Sequence, residues 1–428
     1  MQSGVEGQSD SRSVRVLVAG AIGNALEWYD FAIYGYFATI LGKQFFPQDD
    51  PVASLLSVFG IFAAGFLMRP LGGLLFGPIG DRFGRRLALS LSVACMAIPT
   101  FIVGLLPTAA SIGVAAPIAL VVLRLLQGLS VGGEYTSSMT LLVEQAPQGR
   151  RAFWGCWSVT GSVVGFVLGS SVSAMAAALL SPDELSSWGW RIPFLLGAVV
   201  GVAGVYLRGL GTTELKPESS GEAGAGFELL GRVLREHGNL VLRISGLQAM
   251  AAVGFFLMFT YVTTALTTEM NIPEAEALAI NTGTLLFLMV AIPLAAILSD
   301  RIGRRPVLLG ATLGTLLLAY PLFLMMHGGS IVLTILGELV FAVLIALFYG
   351  AGAATMAEMT PRAIRCTVLA LGYNLVYAIL GGTTPMIAAY LVQRTGDDLS
   401  PAYFLMSAAA VSLVVVGGLR ETSRSPLP

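Results

Sequence analysis

The chain has 428 residues, of which 55% are hydrophobic and 11% charged, with a formal net charge of −1 and a mean hydropathy of +0.80. Soluble domains carry about 25% charged residues, so a soluble protein of this size could not keep so much apolar surface from water. The composition identifies an integral membrane protein, and the near-neutral charge excludes a nucleic-acid partner.

The first residues, MQSGVEGQSDSRS, are polar and lack an apolar core with a small-residue cleavage site; residues 1–14 are expected to be a disordered tail and not a cleavable signal peptide. Windows free of Asp, Glu, Lys and Arg then mark the spans, since a crossing helix needs about 20 apolar residues. Divided at Pro/Gly breaks, they predict twelve helices, at 15–42, 52–80, 86–106, 112–143, 151–179, 190–208, 240–268, 277–299, 305–326, 330–356, 364–393 and 400–419. The expected fold is an all-α polytopic membrane protein of two pseudo-symmetric six-helix bundles, residues 15–210 and 240–419, with a tail at 420–428. Between the bundles, 211–239 begins as a Gly/Ser/Glu-rich flexible linker and continues as a short amphipathic helix on the inner surface.

With both ends inside, 19 of the 24 Lys and Arg fall on inner segments. Lys43, Arg191 and Arg394 lie outside, and Arg69 and Arg124 lie within spans. This bias predicts cytoplasmic termini, in the inner membrane of the cell. DRFGRR at 81–86 returns as DRIGRR at 300–305, and Glu144, Pro147 and Arg151 return as Glu358, Pro361 and Arg365. Two motifs recurring at nearly one offset indicate two similar halves, one of the architectures of secondary transporters.

The stretch GNALEWYDFAIYGYF, 23–37, reads as membrane helix except for Glu27 and Asp30. A charged side chain at mid-membrane costs roughly 2.5–3.5 kcal/mol on insertion scales and is functional by default. Asp30 lies about 24 Å above an inner end near residue 14, at 1.5 Å per residue. Glu27, Asp30 and Tyr34 share a helix face with Asn24 one turn below, so that face must look inward. In the fourth span Arg124, Gln127, Val131, Glu134 and Ser138 are spaced 3, 4, 3, 4 and fall on one face. Arg124 lies about 30 Å and Glu134 about 15 Å from the inner end, which pairs Arg124 with Asp30 and Tyr34 and sets Glu134 nearer Glu27. A carboxylate paired in one state and unpaired in another exchanges a proton as the pair opens. Asp30 is the expected main proton site, Arg124 its switchable partner, and Glu27 and Glu134 the auxiliary or substrate-facing carboxylates.

No Lys or His lies in mid-span, which excludes a histidine relay. The three cysteines, Cys95, Cys156 and Cys366, have no metal-ligand spacing, so neither a metal nor a cofactor is expected. A citrate-like trianion would want several cations where Arg124 and Arg69 are the two available. A zwitterion or monocarboxylate suits one Arg with spare carboxylates and aromatics. Trp157, Tyr261, Tyr373 and Tyr377 are candidates for cation–π contact with a quaternary ammonium, and Gln248 and Asn374 for hydrogen bonding.

GPIGDRFGRR, its recurrence LSDRIGRR and RLLQGLSVGGE resemble the major facilitator superfamily. GNALEWYDFAIYGYF, FLMRPLGG, GLSVGGEYT and WGWRIPF resemble its metabolite:proton symporters, which include proline/betaine, citrate, α-ketoglutarate and shikimate carriers. SPAYFLMSAAA is similar to proline/betaine carriers, and LVQRTGDDLSP to citrate carriers. The resemblance implies proton-coupled uptake of a small polar metabolite by alternating access, by a monomer in lipid, with an acidic residue of span one working with the fourth-span Arg. It also implies a cytoplasmic salt-bridge gate of Asp81, Arg82, Arg85, Glu144 and Arg151 with Asp300, Arg301, Arg304, Glu358 and Arg365. Drug antiporters of the superfamily carry Gly-Pro in span five; Gly165-Phe166 here disfavours antiport. A citrate/dicarboxylate symporter is the alternative substrate class. A solute-sensing receptor is the alternative of another kind, without a cytoplasmic signalling domain in view. An enzyme is not expected, since no nucleophile–base pair appears.

Overall fold

The computed structural model describes residues 24–25, 27–47, 50–72, 75, 85–130, 132, 134–211, 226–328 and 330–428. Among them nine helices are long and apolar enough to cross a membrane. In chain order with three further helices they are α1 (27–45), α2 (Pro51–Gly72), α3 (Arg85–Leu105), α4 (Ala115–Glu144), α5 (Arg151–Leu179), α6 (Arg191–Gly211), α7 (Val233–Thr268), α8 (Glu274–Ile302), α9 (Arg304–Met326), α10 (Ile331–Glu358), α11 (Arg362–Thr395) and α12 (Ser400–Gly417). No strand occurs among the described residues. The fold is all-α, with α1–α6 and α7–α12 forming the two bundles. Apolar residues such as Leu294, Leu317 and Val414 stand more than 60% exposed on the outside, a surface that only lipid can cover.

Local chemistry explains the ends. Asp50 accepts a hydrogen bond from the Val52 amide at 2.9 Å, with Pro51 opening α2. Glu421 accepts from the amides of Arg304 and Arg305 at the start of α9. Partial burial opposes ionisation of Glu421, but these amide donors win and hold it below the usual carboxylate range.

Three features of the spans bear on the site. α4 is two helical pieces, Ala115–Ser130 and Glu134–Glu144, with a turn at Gly132. Both described ends of the predicted face meet α1's side, Arg124 pairing with Asp30 and Ser138 accepting from Asn24 at 3.1 Å. A helix begins at Gly226 and ends at His237, whose backbone is non-helical (φ −125°, ψ 16°), so the second part of the linker is a short helix that abuts the seventh span directly. Finally, α7 at Leu257–Val262 and α11 at Tyr377–Gly381 loosen into π-helical turns, a feature common where helices bend around functional sites.

Small residues fix the crossings. A Cβ on Gly165 of α5 would fall on the carbonyl oxygen of Ala25, two residues before α1, and one on Gly128 of α4 on that of Gly65 in α2. Backbone-to-backbone approach of this kind is how helices associate where lipid offers no hydrophobic drive. It brings α1, α2 and α4 close enough for their buried polar side chains to meet.

Candidate functional site

Asp30 of α1 and Arg124 of α4 form an ion pair at 2.5 Å, with both side chains 2% exposed or less. Gln127 Nε2 donates to Asp30 Oδ1 at 2.7 Å and Thr100 of α3 donates to the same oxygen at 2.6 Å. Arg124 also donates to Gln127 at 3.1 Å and lies over the rings of Phe31 and Tyr34, 4.1 and 4.4 Å from their centroids. Tyr34 donates to the Val58 carbonyl. These four polar groups sit inside the first bundle, closed over by aromatic rings. Thr100 was not visible in sequence because α3 carries no charge in its apolar run; nothing marks one threonine among many.

A separate cavity lies between the bundles. Its free volume is about 10 Å³, room for about one water molecule, so it must widen to admit a solute; it is lined by Trp28 of α1, by Val159, Ser162, Val163 and Phe166 of α5, and by Phe255, Phe256, Tyr349, Tyr373 and Tyr377 of α7, α10 and α11. Seven of these ten residues are aromatic. Arg69 of α2 borders it. The guanidinium stands 5.2 Å from the Trp28 centroid, 5.1 Å from Phe66, and 5.9 Å from both Tyr373 and Tyr377. Arg69 is fully buried, and none of its nitrogens meets a hydrogen-bond acceptor among the described residues. Glu27, also buried, lends its negative field.

Of the residues predicted to bind substrate, Tyr377 lines the cavity and Glu27 lies toward Arg69. Tyr34, Arg124 and Gln127 belong to the Asp30 cluster. Trp157 packs edge-on to Phe153 on α5. Gln248 Nε2 lies 3.1 Å from the Met356 sulfur within the second bundle. Asn374 donates to the Gly132 carbonyl at 2.6 Å and so clasps the two bundles. Tyr261 donates to Glu269 at 2.9 Å, at the end of α7 away from the arginine-rich face. There His327 lies 3.7 Å from Glu269, and that carboxylate raises the imidazole above its ordinary value. Glu134 has its backbone at the start of a helical piece, but its side chain lies outside the described residues.

Residues 16–210 match the family described as Sugar (and other) transporter, and residues 244–427 that described as Major Facilitator Superfamily. The proline/betaine transporter of Salmonella typhimurium is 35% identical, over 98% of this chain and 85% of that protein. The ectoine/proline transporter ProP of Corynebacterium glutamicum is 35% identical over 97% and 86%. The chain belongs to the major facilitator superfamily. Among solved structures, the xylose transporter XylE from E. coli in its inward-open conformation is similar in fold, with a TM-score of 0.74 at 18% identity over 97% of this chain and 98% of that one.

Both ends of the superfamily cavity are closed. On the arginine-rich face, pairs cross between bundles: Arg365 to Glu144 at 2.5 Å and Arg151 to Glu358 at 3.5 Å. Glu144 and Arg151 of one half thus each meet the repeat-related counterpart of the other. Asp300 accepts from the amides of Ala152 and Phe153 at the α5 N-terminus and from Arg304 at 2.7 Å; Arg304 also donates to Glu358. Arg301 is exposed. Asp81 and Arg82 lie outside the described residues, as does the side chain of Arg85. Residues after α12 join in, with Arg151 donating to the Ser425 carbonyl and Thr422 to Glu358. On the opposite face α1 meets α7 where Gly35 faces Thr260, and α2 meets α11 where Gly60 faces Met386 and Gln393 donates to Asp50 at 3.4 Å.

Charge-assisted hydrogen bonds are worth about 1.5–3 kcal/mol each, small enough for a gate to open in turnover. In a Cys366→Ser background, Glu144→Arg is expected to increase labelling of the buried native Cys156 by opening the arginine-rich face, and Glu144→Arg with Arg365→Glu to return labelling toward the parent level. Equal labelling in single and double variants would show that the crossed pair does not hold the face shut.

Proposed function

We propose that this protein is a proton-coupled symporter that takes up a small zwitterion of the proline or betaine kind, acting as a monomer with the arginine-rich face and both termini cytoplasmic. The observation that carries this reading is Arg69, a buried cation that meets no acceptor among the described residues at the edge of an aromatic cavity. A carboxylate supplies the acceptors a guanidinium fork needs, and tyrosine, tryptophan and phenylalanine faces attract a quaternary or secondary ammonium. A zwitterion brings both ends and leaves no net charge in the closed cavity. Citrate would place up to three anionic groups against one free guanidinium, since Arg124 is already engaged by Asp30. The names of the proline/betaine and ectoine/proline relatives support the same solute class.

In the cycle, the Asp30–Arg124 pair is the proton latch. While the pair is closed the carboxylate is ionised; when movement of α1 against α4 parts it, Asp30 takes a proton from the open side. One proton moving inward through a membrane potential of ~100 mV supplies about 2.3 kcal/mol, or roughly fifty-fold accumulation of a neutral solute. The test is uptake by proteoliposomes under an imposed proton gradient, screened over glycine betaine, proline, citrate and α-ketoglutarate. Accumulation of glycine betaine or proline, abolished by a protonophore, is expected. Gradient-driven uptake of citrate in their place would reject the zwitterion reading.

A further inference from the structure

We propose that Glu338 is a second proton carrier, set in the other bundle; the inference rests on the proton-symport reading above. Glu338 interrupts the apolar run of α10 and is 3% exposed. Thr284 of α8 donates to its Oε2 at 2.8 Å, and no Arg, Lys or His of the described residues forms a salt bridge with it. Asp30, by contrast, has a guanidinium, an amide and a hydroxyl. A buried carboxylate with one neutral donor and no counter-ion is far cheaper as the uncharged acid. In the closed state Glu338 therefore holds a proton, whereas Asp30 does not.

Its position gives that proton a consequence. Thr284 lies one helical turn from Asn281, whose Nδ2 donates to Ser170 of α5 at 2.9 Å. Ser170 is also 2.7 Å from the Thr282 hydroxyl. This row is the polar seam where α8 of one bundle docks on α5 of the other. From α1, the phenol of Tyr36 is the titratable group beside Asn281 and Ser170. Of the outer-end groups on α7 and after α9, Glu269 and His327 are engaged with each other. When the seam opens to water, the carboxylic O–H passes its proton to a water molecule and leaves a hydrated carboxylate. Closing the seam requires that a proton return to Glu338 from water, so bundle docking and proton binding are linked.

Glu338→Gln keeps the side-chain shape and an acceptor for Thr284. In proteoliposomes with glycine betaine as probe, the variant is expected to retain solute exchange between equal pH compartments. It is expected to move about half as many protons per glycine betaine as the parent and to lose a roughly fifty-fold factor of accumulation, the share of one coupled proton. Wild-type accumulation with the wild-type pH profile in Glu338→Gln would overturn the proposal. An infrared readout does not depend on transport: the protonated-carboxyl stretch, shifted in heavy water, should be present in the parent protein at neutral pH. It should be absent from Glu338→Gln and shifted in Thr284→Val. A parent spectrum from which Glu338→Gln removes no such band also overturns it. A parent protein that moves glycine betaine without protons would instead remove the symport reading beneath it.

Discussion

Arg69→Gln is expected to abolish glycine betaine and proline uptake while leaving the protein folded. The argument starts from an imbalance. Arg69 holds a full charge in a site without water access, and none of its donors meets an acceptor among the described residues. Removing the arginine relieves unsatisfied buried donors but also takes the positive field from buried Glu27, two opposing costs that leave the protein folded. Binding is another matter. Two charge-assisted hydrogen bonds to a carboxylate, at about 1.5–3 kcal/mol each, correspond to a loss of affinity of roughly two to four orders of magnitude. Arg69→Lys should not rescue, because an ammonium lacks the planar fork. The aromatic wall predicts a graded companion effect. Tyr377→Leu should weaken glycine betaine by a factor of about two to thirty, from the cation–π range of about 0.5–2 kcal/mol. Calorimetric titration of the purified protein separates these losses from misfolding. Unchanged glycine betaine affinity in folded Arg69→Gln would place the carboxylate elsewhere and remove the observation on which the solute reading stands.

The sequence reveals what is expensive. Ionised groups in hydrocarbon announce themselves, so the carboxylates of GNALEWYDFAIYGYF and the arginine of the fourth span lead directly to the Asp30–Arg124 contact. The repeat offsets also locate Glu144, Arg151, Glu358 and Arg365 at one face. They do not say that the pairs cross between bundles, because that depends on how two helix ends meet in space. Aromatic residues carry no such cost. Trp28, Phe166, Phe255 and Tyr349 are indistinguishable in sequence from ordinary packing, and only the convergence of five helices makes them a wall. Tyr261 and Trp157 have the same chemistry and fall outside it. Glu338 is hidden for a different reason: one carboxylate divides the apolar run of α10 into two charge-free windows inside a single span, and its lack of a counter-ion among the described residues belongs to the packed structure. Arg69, a second cation in the sequence, gains its importance from meeting no acceptor among the described residues, which is a property of the packed structure.

Arg124→Gln is expected to destabilise the protein by about 3–5 kcal/mol, the penalty for stranding a buried charge by removing its partner. Asp30 would keep Thr100 and Gln127 as donors but lose its compensating charge. It would then either take up a proton in every state or draw water into the first bundle. Asp30→Asn should be milder, since the exposed cost falls on a guanidinium already lying on the rings of Phe31 and Tyr34. The double variant Asp30→Asn/Arg124→Gln should recover much of the stability lost in Arg124→Gln, because both charges are then gone. It should not recover gradient-driven accumulation. Thermal unfolding in detergent measures the first effect, and proton movement accompanying glycine betaine entry measures the second. The two readouts separate a latch from a strut: a merely structural pair would let the stable double variant couple protons normally. If Asp30→Asn alone still accumulates glycine betaine with an unaltered pH profile, Asp30 is not the carrier. Coupling must then reside with a carboxylate that has no fixed cation beside it, and Glu338→Gln becomes the variant that decides.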